Sequence, residues 1–461
     1  MVYQRFVQSF GGTKDSYQRW ADQVGDDSYT FPRLLPYFQK SCHLTPPDYN
    51  KRQRNATVSY DATAFGQGGP LQVSWPNWAA VAGTWAMQAM AAVGIRENDG
   101  LNSGNLLGGA WPSCTINPTN EHRSSSQTGF LAQAMSNTDI KVYTRALAKQ
   151  IVFKNHTATG VVVNIAGVAF NVTAKKEVIC SAGTFQSPQL LMVSGVGPRQ
   201  TLEHFSITVL SDLPGVGQNM WDHFLFNIVY RVDVQTSSKI INDPLYAAQA
   251  AADYLKNGTG PYASASGYLE WEKAPPRYRQ SFTNATLSAL ATFPPDWPEI
   301  ELLLINSIQS DNSRKGDPRD GYNYATIAAG LVAPLSRGNV TIYSSDMNDP
   351  PVINPNWLTH PADEELAIAA FKRPGTNVST DAEILHYIRQ TLRPIYHVAC
   401  TYAMGKAGDV GAVVDSTGKV FGVNSLRVVD ASAFPLLPPG HPQATVYMLA
   451  EKIADDIRNG R

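Results

Sequence analysis

The chain has 461 residues, 43% of them hydrophobic and 16% charged, an ordinary globular composition that excludes a disordered chain. Its formal net charge of −1 gives no electrostatic basis for a nucleic acid or an anionic membrane as partner. The length suits more than one packed region, since domains usually run to about 100–200 residues.

From the start, Met1-Val-Tyr-Gln-Arg5 lacks the apolar run of a signal peptide. SYQRWADQV predicts a short helix, a Gly-Asp-Asp turn follows, and LLPYFQK predicts a second helix. Residues 50–120 are rich in Gly, Pro and Asn between short apolar pieces and read as an excursion over a surface. Within them, Trp78 to Ile95 is the best spanning candidate. Thr84, Gln88 and two glycines interrupt it, and a span needs about 20 predominantly apolar residues. An Ala-rich helix packed on a core is the better reading, and no membrane span is expected.

From Asp139 the pattern changes. IKVYT, ALAKQIVF, ATGVVVNI and AFNVTAKKEVIC are β-branched runs between turn residues and predict a strand meander ending at Cys180. Ser187 to Val193 predicts a helix after a tight turn. A second strand-rich region runs from Leu225 to about Asn354 and includes EIELLLINSI, YATIAAGLVAPL and NVTIYSS. LRVVDAS then predicts a strand running into a turn. Pro442 to Ile457 predicts an amphipathic helix, with Val446, Leu449, Ala450, Ile453 and Ile457 at helical spacing. The order implies an α/β domain with an inserted antiparallel substrate domain.

The four cysteines, Cys42, Cys114, Cys180 and Cys400, contain no Cys-x-x-Cys pair, so no metal site is expected. Cys180 and Cys400 lie in apolar runs and read as buried thiols. Cys42 and Cys114 are candidates for a pair, which spacing does not establish. Sequons at Asn55, Asn155, Asn171, Asn257, Asn284, Asn339 and Asn377 point toward the secretory pathway or the extracellular space without settling localisation. Gly195-Val-Gly197 and Gly215-Val-Gly217 lack the third glycine of a dinucleotide fingerprint and read as turns.

Two of the nine histidines stand out. His397 lies in Ile-Tyr-His-Val-Ala-Cys-Thr. His441 precedes Pro442, a residue suited to a first helical position, so it sits near the positive N-terminal end of the last helix. Taken alone, each histidine is more readily a satisfied structural residue than a functional one.

Gly183-Thr-Phe-Gln-Ser-Pro-Gln-Leu-Leu-Met-Val-Ser-Gly-Val-Gly197 resembles the second signature of the glucose–methanol–choline (GMC) oxidoreductases. Leu213-Pro-Gly-Val-Gly-Gln-Asn-Met-Trp-Asp-His223 and Pro334-Leu-Ser-Arg-Gly-Asn-Val340 are similar to further family motifs. So are Val413-Val-Asp415, Ser425 to Ser432, and His441 to Thr445. The matches run in family order along nearly the whole chain, and the sequence around Gly68-Gly-Pro-Leu71 and Arg123-Ser-Ser-Ser126 resembles the family's fungal natural-product branch. The resemblance implies a GMC-type, Rossmann-like FAD-binding domain with an inserted α+β antiparallel-sheet substrate domain. It implies oxidation of the CH–OH group of a small-molecule alcohol, with O2 as a candidate electron acceptor. His397 resembles the base that takes the hydroxyl proton, and His441 the partner that orients the same oxygen. Asp430 and Ala431 resemble strand-end residues near the pyrophosphate and ribityl chain. Ala148 resembles the position that reads the adenine, and Pro442 and Gln443 resemble backbone set against the flavin ring. The alternatives are a non-redox cyclase of the versicolorin B synthase type and an inactive remnant.

On this reading residues 1–45 are a remnant of the FAD-binding domain and 46–125 a surface or lid region. Residues 126–224 return to the FAD-binding domain, 225–390 form the substrate domain, and 391–461 form the C-terminal cofactor and catalytic segment. Three departures from the family pattern accompany the resemblance. The expected Gly-rich βαβ opening is missing before Met1, which implies an N-terminal truncation. Phe6 to Gly11 interrupts a usual join, and Arg373-Pro374 marks a shortened stretch. Substrate identity and oligomeric state are left open.

Overall fold

The computed structural model describes residues 11–264, 267–309, 318–375 and 380–461. Met1–Arg5, most of the Phe6–Gly11 interruption and the Asn377 sequon lie outside them. Among the described residues no helix is long and apolar enough to cross a membrane.

One core gathers Tyr17, Trp20 and Leu34 with Leu191, Val196, Val428, Leu449 and Ile453. Helix Lys14–Val24 opens on Thr13, whose side chain accepts from the Ser16 amide, and closes on Gly25 at φ +69°, a conformation glycine adopts without steric cost. Trp20 is held between Tyr29, stacked at 5.4 Å, and Phe434 at 5.0 Å. Strand Leu426–Val428 pairs in parallel with Val178–Cys180, and helix Gly183–Val193 follows directly. The meander is present as Ala146–Lys154, Thr157–Ile165 and Val168–Thr173.

A second unit is a six-stranded antiparallel sheet. Its order is Arg393–Pro394, Phe224–Val232, Asn323–Leu331, Ile300–Ile305, Leu269–Glu272 and Gly108–Ala110. Phe224, Phe226, Ile300, Leu302 and Leu331 on one face pack against Leu366, Ala370 and Phe371 of helix Pro361–Lys372 and Ile384 and Ile388 of helix Asp381–Thr391. Leu269, Trp271, Leu303 and Ala328 alternate onto the other face. Phe293, Trp297 and Ile342, inside the 225–390 stretch, join the first core.

Five expectations are corrected. Ile140–Thr144 forms no strand; Ile140, Val142 and Tyr143 stand exposed, because no described neighbour pairs with them and a lone β-branched run gains no ladder bonds. Residues 50–120 do more than cross a surface: Leu71, Val73, Trp75 and Trp111 build a small core with Leu44, and Gly108–Ala110 adds an edge strand on Leu269–Trp271. The Ala-rich helix, Val81–Ala92, buries only its first turn, at Ala82, Gly83 and Thr84, and leaves Trp85 exposed. The C-terminal helix runs Gln443–Arg458 with Pro442 as its cap; its buried stripe is Thr445, Met448, Leu449, Lys452, Ile453 and Asp456, and Ala450 faces out. Lys452 is buried because Asp456, 3.0 Å away one turn on, neutralises it. All four cysteines are free, buried thiols, so Cys42 and Cys114 form no disulfide.

Candidate active site

His397 sits on a short segment strapped to the Leu213–His223 turn. Trp221 and Ala399 exchange backbone bonds of 3.1 and 2.9 Å, Ile395 N–H donates to His223 O at 3.2 Å, and His397 N–H donates to Asp222 Oδ1 at 3.2 Å. Beyond it, Cys400 N–H donates to Ala431 O at 3.1 Å. Two non-glycine residues with left-handed backbone bracket the histidine, Tyr396 at φ +66° and Cys400 at φ +71°. Such outliers cost about 1–3 kcal/mol each and persist where surrounding bonds over-determine them. The straps just named do so here, and they aim His397 inward.

His441 comes from the other direction, on the loop entering the C-terminal helix. Its ring centroid lies 4.6 Å from that of His397 at an interplanar angle of 59°. Its Nε2 is 2.8 Å from Glu301 Oε1, and the Trp271 ring meets it edge to face at 6.1 Å. Trp271 and Glu301 are direct partners across adjacent strands, so the sheet unit supplies one wall of the site. On the far side of His397, His223 Nδ1 lies 3.1 Å from His397 Nδ1. The two histidines named from sequence are therefore together, and a third histidine and a carboxyl group join them.

Burial dominates the electrostatics. It pushes His441 down to about 3. It also holds His397 and His223 well below the usual imidazole range, with neighbouring imidazoles adding to the effect. All three rings are held neutral, because burial disfavours their charged form. Burial drives the Glu301 carboxyl well above the carboxylate range. The Glu301–His441 pair therefore shares one proton and carries no net charge. Asp222, buried beside them, is raised to about 7 by the same desolvation.

The cofactor candidates fall in two places. Asp430 is buried at the end of strand Leu426–Val428. Its Oδ2 accepts from Gly183 N–H at 2.9 Å and Ser187 Oγ at 2.7 Å, and its Oδ1 accepts from Ser432 N–H at 2.8 Å and from the Ser432 hydroxyl. Ala431 follows it and ties to Cys400. Gly183, at φ +83°, has no heavy atom within 4 Å of where a Cβ would stand, so open space faces this helix start. Pro442 and Gln443 begin a helix of 16 residues with no side-chain cap. Gln443 Oε1 is buried without a hydrogen-bond partner among the described residues. A narrow cleft lined by Phe38, Phe65, Leu71, Asn102 and Tyr447 reaches Ala444, the next residue. An orphaned amide oxygen, an uncapped helix end and adjoining space fit a polar planar ring there. Ala148 stands apart on the meander, beside a register shift between Ala148 and Gln150.

Sequence reasoning passed over His223, Asp222 and Glu301. His223 and Asp222 end a motif that was noted as a whole. Glu301 carried a signal of its own: it is an acid set inside the apolar run Ile300–Ile305, where a charge is costly unless paired.

With this geometry in place, comparison with known proteins decides the family. The model of the N-terminal domain of the GMC oxidoreductases matches residues 6–225, and that of the C-terminal domain matches 334–375 and 371–450. The chain belongs to the GMC oxidoreductase family. The two pieces of the C-terminal match meet at Arg373-Pro374, where the sequence departs from the family pattern. This GMC oxidoreductase is 48% identical to a patulin synthase of Penicillium expansum over 99% of the chain and 76% of that protein. It is 46% identical to the dehydrogenase pkfF of Emericella nidulans over 100% of the chain and 77% of that protein. Its fold matches an FAD-dependent oxidoreductase from Chaetomium thermophilum with a TM-score of 0.87 at 26% identity, over 100% of the chain and 84% of that structure. It is an FAD-dependent oxidoreductase whose relatives serve fungal secondary metabolism.

Proposed function

We propose that this GMC oxidoreductase oxidises a CH–OH group of a small-molecule alcohol, with His397 and His441 as its catalytic pair. The observation that carries the reading is the juxtaposition of two buried, neutral imidazoles 4.6 Å apart at the uncapped start of the C-terminal helix. FAD supplies the acceptor for the hydride equivalent that leaves carbon. His397 takes the hydroxyl proton, and because its ring is neutral it does so without first losing one. His441 binds the same oxygen, held in orientation by Glu301. The closed sheet wall of Trp271 and Glu301 excludes water from the pair. Pro442 and Gln443 would hold the flavin ring, Asp430 and Ala431 the phosphates and ribityl chain, and Ala148 the adenine. O2 is the proposed final electron acceptor.

The visible spectrum tests this. Anaerobic addition of the right alcohol bleaches the flavin bands, and admission of air restores them. Flavin that stays oxidised while the substrate loses water would replace this reading with that of a non-redox cyclase.

A further inference from the structure

His223 ends the turn that leads into strand Phe224–Val232, and its ring meets that of His397 edge to face at 5.3 Å. Two imidazole nitrogens 3.1 Å apart share one hydrogen, so one ring donates and the other accepts. Which one donates decides the chemistry of His397. If His397 donates from Nδ1, its Nε2 bears a lone pair and accepts a proton. If His397 accepts at Nδ1, its Nε2 already carries hydrogen and is no base.

The surroundings of His223 make the choice. Its Nε2 is buried without a hydrogen-bond partner among the described residues, and the Val332 backbone, which favours a proton on this ring, acts as a carbonyl on the nitrogen turned away from His397. A carbonyl only accepts, so the nitrogen facing it is the one that carries hydrogen. That leaves a bare Nδ1 on His223, turned to His397. A second proton on His223 is opposed from each neighbouring element. Arg337, stacked over the Trp221 ring at 3.4 Å, and the imidazoles of His397 and His441 all disfavour it. Asp222 is engaged by the His397 N–H, and the Glu301 carboxyl is engaged by His441.

We propose that His223 is a positioning residue: it accepts the His397 Nδ1–H and so fixes His397 in the tautomer whose Nε2 takes the hydroxyl proton. The assignment rests on His397 as the base. It makes the Asp222–His223 dipeptide part of the reaction's machinery, at one remove from the substrate.

The test compares His223→Leu, which has no acceptor, with His223→Asn, whose amide oxygen can stand where Nδ1 stood. In the FAD-loaded enzyme, nitrogen NMR of labelled histidine should show His397 Nδ1 protonated and Nε2 bare, with a mixture in His223→Leu. Flavin reduction in His223→Leu should slow by about 10–100-fold with substrate affinity changed less than about twofold, as for residues that orient a catalytic group. The acid limb of its pH profile should move, and His223→Asn should recover most of the rate. A wild-type rate and unchanged His397 signals in His223→Leu would overturn the proposal. So would equal slowing of the Leu and Asn variants at equal thermal stability. Retained activity in His397→Ala would instead remove the base assignment on which it rests.

Discussion

Glu301 Oε1 lies 2.8 Å from His441 Nε2, and the two residues come from units 140 positions apart in the chain. The carboxyl is on the central part of the antiparallel sheet and the imidazole is at the head of the C-terminal helix. The candidate site is thus built at the seam of the two units, and the sheet contributes a proton-bearing group as well as a wall.

Glu301→Gln keeps a hydrogen bond to His441 but cannot pass a proton. We expect FAD content to be unchanged and flavin reduction to slow by about 10–100-fold, the usual cost of losing an orienting partner. Glu301→Leu should be slower still. Stopped-flow reduction of the Gln variant at the wild-type rate would mean that the carboxyl only packs.

Removing the imidazole at His397 should slow flavin reduction by about 10²–10⁴-fold, the typical worth of positioned proton transfer, with a smaller change in substrate affinity. His441→Ala should slow reduction and also weaken binding, since the orienting bond is lost. Reduction of His397→Ala as fast as wild type would show the base to be elsewhere.

Glu270 is buried with neither carboxyl oxygen hydrogen-bonded among the described residues. Burial first, and then the nearby Glu272 carboxylate, hold its pKa well above the usual range, against the pull of Arg373. The sign follows. Below the unfolded value, near 4.5, both states are protonated and nothing is lost. As pH rises, the unfolded chain releases the proton and the native state keeps it, so stability falls by up to about 1.4 kcal/mol per pH unit until the native value is reached. The neutral His223, His397 and His441 act in the opposite direction, but only below about pH 6.5. Glu270→Gln should therefore gain over wild type from pH 7 to 9 in chemical denaturation. Parallel pH curves would show that Glu270 has no such effect.

Asp430 accepts four hydrogen bonds that tie helix Gly183–Val193 to the turn after strand Leu426–Val428. Asp430→Asn replaces one acceptor oxygen with a donor facing donors. At about 1–3 kcal/mol for each group left unsatisfied, the melting temperature should fall and the flavin-to-protein ratio with it. A variant that purified with full flavin at the wild-type melting temperature would refute this.

Asn55, Asn155, Asn171, Asn257 and Asn284 are all exposed, and Asn339 is half-buried. If the protein enters the secretory pathway, the five exposed sequons are acceptors. Endoglycosidase treatment of the protein from its native producer should then lower its apparent mass. An unchanged mass would show that these sequons carry no glycan.

Much of the molecule was legible in one dimension because local periodicity and contiguous motifs carry it. The meander after Ala146, the strand Leu426–Val428 and the last helix follow from alternation and helical spacing. His397 and His441 stood out because each lies in an unbroken motif. Where a run lacked a partner the reading failed: Ile140–Thr144 has strand composition but no described neighbour to bond. The last helix was read one step off its true stripe, since Lys452 and Asp456 enter the core as a neutralised pair that a hydrophobicity pattern counts as polar.

What only the tertiary structure decided is the company the two histidines keep. His223 lies 174 residues from His397, and Glu301 lies 140 residues from His441. An acid inside an apolar run signals that Glu301 needs a partner, but nothing in either stretch says which residue it is. These contacts arise because the sheet unit closes over the head of the C-terminal helix and the Trp221–His223 turn zips onto the Ile395–Ala399 segment. Burial then sets the protonation of every group involved. Charge and tautomer belong to the folded environment, because the cost of a charge depends on the water that folding removes.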